Sequence, residues 1–126
     1  MAKGINCALK LMKIRKRYKK TYHSPFHKVP HIQNALVLQT RKIGAKQPNS
    51  GQRKCVKVQL SNQKKKLSFV PYCGGIEFIK IHDIVTIQSI GGSKCRAKGD
   101  MFGLNTKVIK VNDIPLHQLV KGKKKR

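Results

Sequence analysis

Five short stretches of the chain, Ala35–Lys42, Cys55–Leu60, Leu67–Val70, Ile84–Ile90 and Lys107–Val111, carry enough apolar residues at close spacing to read as strands. The second sets the pattern: Val56, Val58 and Leu60 alternate with Cys55, Lys57 and Gln59, which puts Val58 on an inward face. Ser61-Asn62-Gln63 is a turn by composition, so the second and third strands predict a hairpin. Pro71 ends the third strand, and Gly74-Gly75 marks a bend. The apolar run Ile76–Ile81 fits either a short helix or a strand, and Asp83 reads as a turn residue leading into the fourth strand. Gly91-Gly92-Ser93 opens a long connection to residue 106. Short strands packed into residues 35–113 predict an all-β domain, a small closed barrel of the oligonucleotide-binding (OB-fold) kind. Closure also removes edges that would otherwise need protection.

Both ends of the chain differ from this middle. Residues 1–34 read as a basic N-terminal arm. Over Ala8–Lys20 a helix would place Ile5, Leu9 and Met12 on one face and surround them with Lys10, Lys13, Arg15, Lys16, Arg17, Lys19 and Lys20. So dense a charge favours a segment that orders on RNA over a free-standing helix. His23, Pro25, His27, Pro30 and His31 then interrupt regular structure and predict an extended connector. Residues 114–126 read as a basic C-terminal tail. Ile114, Leu116 and Leu119 are placed over the barrel end, and Lys121-Gly122-Lys123-Lys124-Lys125-Arg126 is too charged to fold alone. Nuclear localisation and RNA anchoring are both open for that run.

Charge narrows the class of partner. Lys and Arg number 29 against 4 acidic residues, a net charge of +25, and the acids Glu77, Asp83, Asp100 and Asp113 all lie in the second half. No fold compensates that excess internally, so a polyanion is required. Aromatic residues are few and Trp is absent, which favours phosphate contact over base stacking as the main device. The scattered carboxylates build no acid–base pair, so no enzyme is expected. Cys7, Cys55, Cys73 and Cys95 show no Cys-x-x-Cys spacing, and reduced cysteines are expected rather than a metal site or a disulfide framework. The start lacks a signal-peptide run, Lys3–Lys28 matches a mitochondrial presequence poorly, and no transmembrane stretch is present. A cytosolic or nuclear home follows. The residues alone describe a basic β-barrel RNA-binding protein, with a polybasic membrane-surface or DNA-compacting protein as runner-up.

The stretch with the most purposeful chemistry is Ala45–Lys54. Pro48, Asn49, Ser50 and Gly51 form a turn-rich tip. Pro48 fixes its own φ, Asn49 and Ser50 donate and accept hydrogen bonds, and Lys46, Arg53 and Lys54 supply positive shoulders. The strand that follows at once gives this loop a stiff mount.

Lys46-Gln47-Pro48-Asn49-Ser50, Arg53-Lys54-Cys55-Val56 and Val58-Gln59-Leu60 together resemble the signature of the universal small-subunit ribosomal protein twelve family, in its eukaryotic and archaeal branch (protein twenty-three in older eukaryotic nomenclature). The resemblance runs over roughly residues 35–126 and includes Phe69-Val70-Pro71, Gly74, Phe78-Ile79, Asp83, Val85, Gly99-Asp100, Gly103, Val108, Lys110-Val111 and Lys121-Gly122-Lys123-Lys124. It implies an OB-fold barrel with an N-terminal extension, and a structural constituent of the small (40S) subunit that binds rRNA at the decoding centre and supports translational accuracy. It implies rRNA contact by Lys46, Gln47, Pro48, Asn49, Ser50, Arg53 and Lys54, with Pro48 a candidate for hydroxylation. A second loop, with Lys94, Arg96, Lys98, Gly99, Asp100 and Gly103, is implied to face the same RNA. Here the sequence departs from the family's Asp-x-Pro-Gly, with Phe102 in place of proline, and the arm is shorter than the family's. Implied partners are small-subunit rRNA, neighbouring ribosomal proteins and, indirectly, the mRNA–tRNA pair, with no membrane. No cofactor is implied beyond a candidate Mg²⁺ bridge to rRNA, and localisation is cytoplasmic with nuclear or nucleolar passage. The alternative is a free-standing OB-fold protein that binds single-stranded RNA or DNA.

Overall fold

All five expected strands are present in the computed structural model, which describes residues 4–18, 30–90, 99–101 and 103–126. They are β1 (Ile32–Gly44), β2 (Gln52–Gln59), β3 (Lys65–Phe69), β4 (Ile84–Ser89) and β5 (Thr106–Val111), joined by a short β6 (Ile114–Pro115). They form one six-stranded sheet in the order β3-β2-β1-β4-β5-β6. The long strand β1 is the spine. Its first part, Ile32–Leu36, pairs antiparallel with β4, and Leu36–Gly44 pairs antiparallel with β2. A register shift between Val37 and Gln39 lies near the handover and bends the strand from one partner to the other.

The sheet curls into a partial ring. Its ends meet where β3 and β5 pair in parallel at Phe69 and Lys107. Thr106, fully buried on β5, reinforces the join by donating its hydroxyl to the Leu67 carbonyl at 2.9 Å. The expected hairpin is β2–β3, in which Cys55 faces Phe69 and Gln59 faces Lys65. Pro71 lies just beyond the end of β3. The apolar run after Gly74-Gly75 resolves as a 3-10 turn, Gly75–Phe78. Asn112 and Asp113 both adopt positive φ, 46° and 64°, which is the geometry of a tight hairpin turn between Val111 and Ile114.

The inside of the ring is apolar. Val37, Val56, Val58, Val85 and Ile87 are fully buried, and the alternation along β2 places Val58 inward as its spacing predicts. One end is stoppered by helix α2 (Leu116–Val120), which inserts Leu116 and Leu119 from a single face. Helix α1 (Ile5–Tyr18) spans most of the segment in which a helical register was available, and its Leu9 and Met12 are exposed. Lys19, Lys20, His23, Pro25 and His27 lie outside the described residues.

Asp83 is more than a turn residue. It is buried, its carboxylate accepts the Lys80 N–H at 2.7 Å and the Asn112 side-chain amide at 3.2 Å, and Arg126 reaches it at 2.5 Å. Its carbonyl accepts the Val37 N–H at 2.9 Å. One residue thereby ties the start of β4, the turn after β5 and the last residue to the middle of β1. Its expected place before the fourth strand is correct, but the hub could not be read from spacing.

Candidate nucleic-acid interface

The β1–β2 hairpin projects a basic rim. Arg41 and Lys42 of β1 are exposed, and Lys42 stands directly across the antiparallel ladder from Lys54. Like charges facing each other cost stability unless an anion lies over them. The strands end at Gly44 and Gln52, and residues 45–51 connect them. Lys46, Gln47, Pro48, Asn49, Ser50, Arg53 and Lys54 are all exposed, so the whole set singled out in the sequence sits on one accessible tip.

That tip is fastened from within and from without. The Ala45 N–H donates to the Gly51 carbonyl at 2.8 Å, which closes the base, and the Asn49 N–H donates to the Lys46 carbonyl at 3.0 Å, which tightens the apex. The Gln47–Pro48 peptide is cis. The external fastening is Asp100. Its backbone carbonyl accepts the Lys46 N–H at 2.9 Å, and its carboxylate accepts the Arg53 guanidinium at 2.6 Å. The Asn49 amide stands a longer 3.5 Å from the same carboxylate oxygen. Both shoulders and the apex therefore converge on one residue of the second loop.

The electrostatics follow from this geometry. The hydrogen bond from Arg53 is the main reason that the Asp100 carboxyl lies below its ordinary value; partial desolvation opposes it, and the Arg53 charge and Asn49 assist it. Cys55, beneath the rim, is displaced the other way. Burial raises its thiol, and the Arg41 charge only partly offsets that. Its Sγ donates to the Arg41 carbonyl at 3.3 Å, so it serves the hairpin as a small buried side chain.

Among the described residues, the second loop meets the first through Asp100. Gly99, Asp100 and Gly103 are described, and Gly99 and Gly103 take φ of 61° and 70°, a backbone that favours glycine. Lys94, Arg96, Lys98 and Phe102 lie outside the described residues. The donor set of the rim does not fit a protein-held Mg²⁺. Asp100 is occupied by Arg53, and among the described residues no three His, Cys, Asp or Glu side chains converge. Cys7, Cys55 and Cys73 are free thiols. No described helix is long and apolar enough to cross a membrane.

Sequence reasoning missed the junction itself. Arg53 and Asp100 are 47 residues apart, and nothing local marks them as partners. The usable signal was the scarcity of acids: Asp83 and Asp100 each pair with an arginine, and each pairing fixes a piece of structure.

Comparison with protein families agrees with this picture of a basic rim on a small β domain. The model of the family described as Ribosomal protein S12/S23 matches residues 19–126, which covers the strands, both loops and the tail. Proteins of this family are structural, rRNA-binding components of the small ribosomal subunit rather than catalysts. A basic chain that presents a clamped polar tip on such a domain belongs to the ribosomal protein S12/S23 family.

Proposed function

We propose that this protein is a structural constituent of the 40S subunit, that its Ala45–Lys54 loop contacts rRNA at the decoding centre, and that it supports translational accuracy. The observation that carries the reading is the double fastening of the loop to Asp100, by the Lys46 N–H at 2.9 Å and the Arg53 side chain at 2.6 Å. A loop meant only to hold phosphate needs charge. One that must favour a single RNA conformation needs its polar groups fixed in space as well. The strand order supports an OB-fold as the mount: β3-β2-β1-β4-β5 with a β3–β5 contact is a partly open five-stranded barrel, a class that recurs in nucleic-acid recognition.

The mechanism needs no covalent step. Lys42, Lys46 and Lys54 neutralise phosphates, and the facing lysine pair is relieved when RNA lies across it. Asn49 and Ser50, held at the apex, then hydrogen-bond to sugar or phosphate of the RNA that inspects the codon–anticodon pair. About 1.4 kcal/mol of differential contact shifts an open–closed equilibrium tenfold, and a few hydrogen bonds made in only one state supply that. Arg53 is spent on Asp100 and acts by orienting the loop. Asp100, Gly99 and Gly103 form the second loop's share of the contact, and Lys94, Arg96 and Lys98 of the same loop serve as phosphate ligands. Any Mg²⁺ at this junction is held by RNA. Pro48, exposed at the apex, is accessible to a hydroxylase.

The test is a directed cleavage experiment. A Ser50→Cys chain with Cys7→Ser, Cys73→Ser and Cys95→Ser, tethered to iron–EDTA and assembled into subunits, should cut small-subunit rRNA in the decoding helix. Cleavage confined to other regions, or a chain that sediments apart from subunits as a free-standing single-strand binder would, contradicts the reading.

A further inference from the structure

Beside the rim, between the base of the loop and the β3 end, the surface holds a groove of about 370 Å³. Its lining includes Arg53, Lys54, Phe69, Tyr72, Cys73 and Gly74. Tyr72 is unusual in two ways. It is 56% exposed, although it is large and the chain has only 3 tyrosines. Its φ is +69°, a left-handed backbone that is a true outlier for a bulky residue. The Gly75 N–H donates to its carbonyl at 3.3 Å, and Gly74 follows at φ 75°, so the turn holds the ring outward. A backbone conformation with a cost, used to expose an aromatic ring beside two cations, points to a ligand with a flat face and a negative charge.

We infer that this groove binds one unpaired nucleotide of RNA, its base against the Tyr72 ring and its phosphate against Lys54. The inference rests on the RNA-binding role proposed above but not on the decoding assignment. A base inside a duplex is covered on both faces, whereas an unpaired base stacks on an aromatic ring whatever its sequence. Lys54 is the available cation, because Arg53 is held by Asp100 at 2.6 Å. The groove thus adds a single-strand preference to a rim that otherwise reads only phosphate. Stacking stays secondary to phosphate contact in this proposal, because Tyr72 is the exposed ring of the groove.

The experiment uses the full chain and a short RNA offered either as a single strand or as a blunt duplex, at one fixed salt concentration. Tyr72→Gly removes the ring and suits the positive φ, and Tyr72→Phe keeps the ring without the hydroxyl. Tyr72→Trp creates the chain's lone tryptophan, a reporter placed in the groove. Tyr72→Gly should lose about tenfold in affinity for the single strand and nothing for the duplex, with an unchanged salt slope. Tyr72→Phe should bind as wild type, and the tryptophan should be quenched by the single strand only. Wild-type affinity in Tyr72→Gly, an equal loss on both RNAs, or equal quenching by both overturns the inference. None of these outcomes depends on where the apical loop sits in the subunit, so this test and the cleavage test fail separately.

Discussion

The Arg53 guanidinium lies 2.6 Å from the Asp100 carboxylate, and that contact joins the exposed β1–β2 loop to the second loop of the chain. Among 29 basic residues, an acid could find many cations. Asp100 takes the one at the shoulder of the loop, while its carbonyl takes the N–H of Lys46 on the other shoulder. The loop is therefore set by a partner distant in sequence as well as by its own turn residues.

The first prediction is a pH dependence. The hydrogen bond from Arg53 holds the Asp100 carboxyl below its ordinary value of 3.8. A carboxylate depressed in the folded state stabilises the contact at any pH above the ordinary range, and that support is lost as pH falls through the depressed value. Carboxyl NMR of the full chain should show Asp100 titrating below 3.8, and Arg53→Ala should move it back up. An unchanged midpoint in the variant contradicts the clamp.

The core makes a second prediction. Val58 and Leu116 are both fully buried, one on β2 and one on the helix that plugs the ring. Val58→Asp buries an unpaired charge and should cost more than about 4 kcal/mol, enough to prevent folding of a small domain. Leu116→Ala should cost about 2–5 kcal/mol by leaving a cavity. Denaturant melts of the free chain measure both, and a Leu116→Ala chain as stable as wild type would show that α2 is not part of the folding unit.

How much of this was legible in the sequence varied with the range of the interaction. The strands were, because alternation such as Val56, Val58 and Leu60 is a local consequence of one buried face. The loop was, because Pro48, Asn49, Ser50 and Gly51 have turn chemistry of their own. The turn that makes β6 was not anticipated, although Asn112-Asp113 is a pair that tolerates positive φ. Asp83 reads as a turn residue and Asp100 as part of the second loop, but their partners Arg126 and Arg53 lie 43 and 47 residues away. No pattern of spacing encodes such pairings. Tyr72 gave no signal at all, since its prominence comes from its backbone conformation.

Asp83 supplies the third prediction. Its carboxylate serves a backbone N–H, an amide and a guanidinium at once. Asp83→Ala strands the Lys80 N–H and frees Arg126, and should cost about 2 kcal/mol. Asp83→Asn keeps an acceptor but loses the charge, so it should cost less. Equal stability of all three chains would mean that the hub contributes nothing net.

We propose that an apical loop, fixed in place, tunes the accuracy of decoding. Lys46→Ala and Ser50→Ala each remove one exposed group from that loop without touching the core. The most direct measurement is a dual-reporter misreading assay on cells carrying each variant, beside a gradient that scores subunit assembly. Normal assembly with altered misreading, in one direction or the other, is expected for both variants. Normal assembly with unchanged accuracy in both would contradict it.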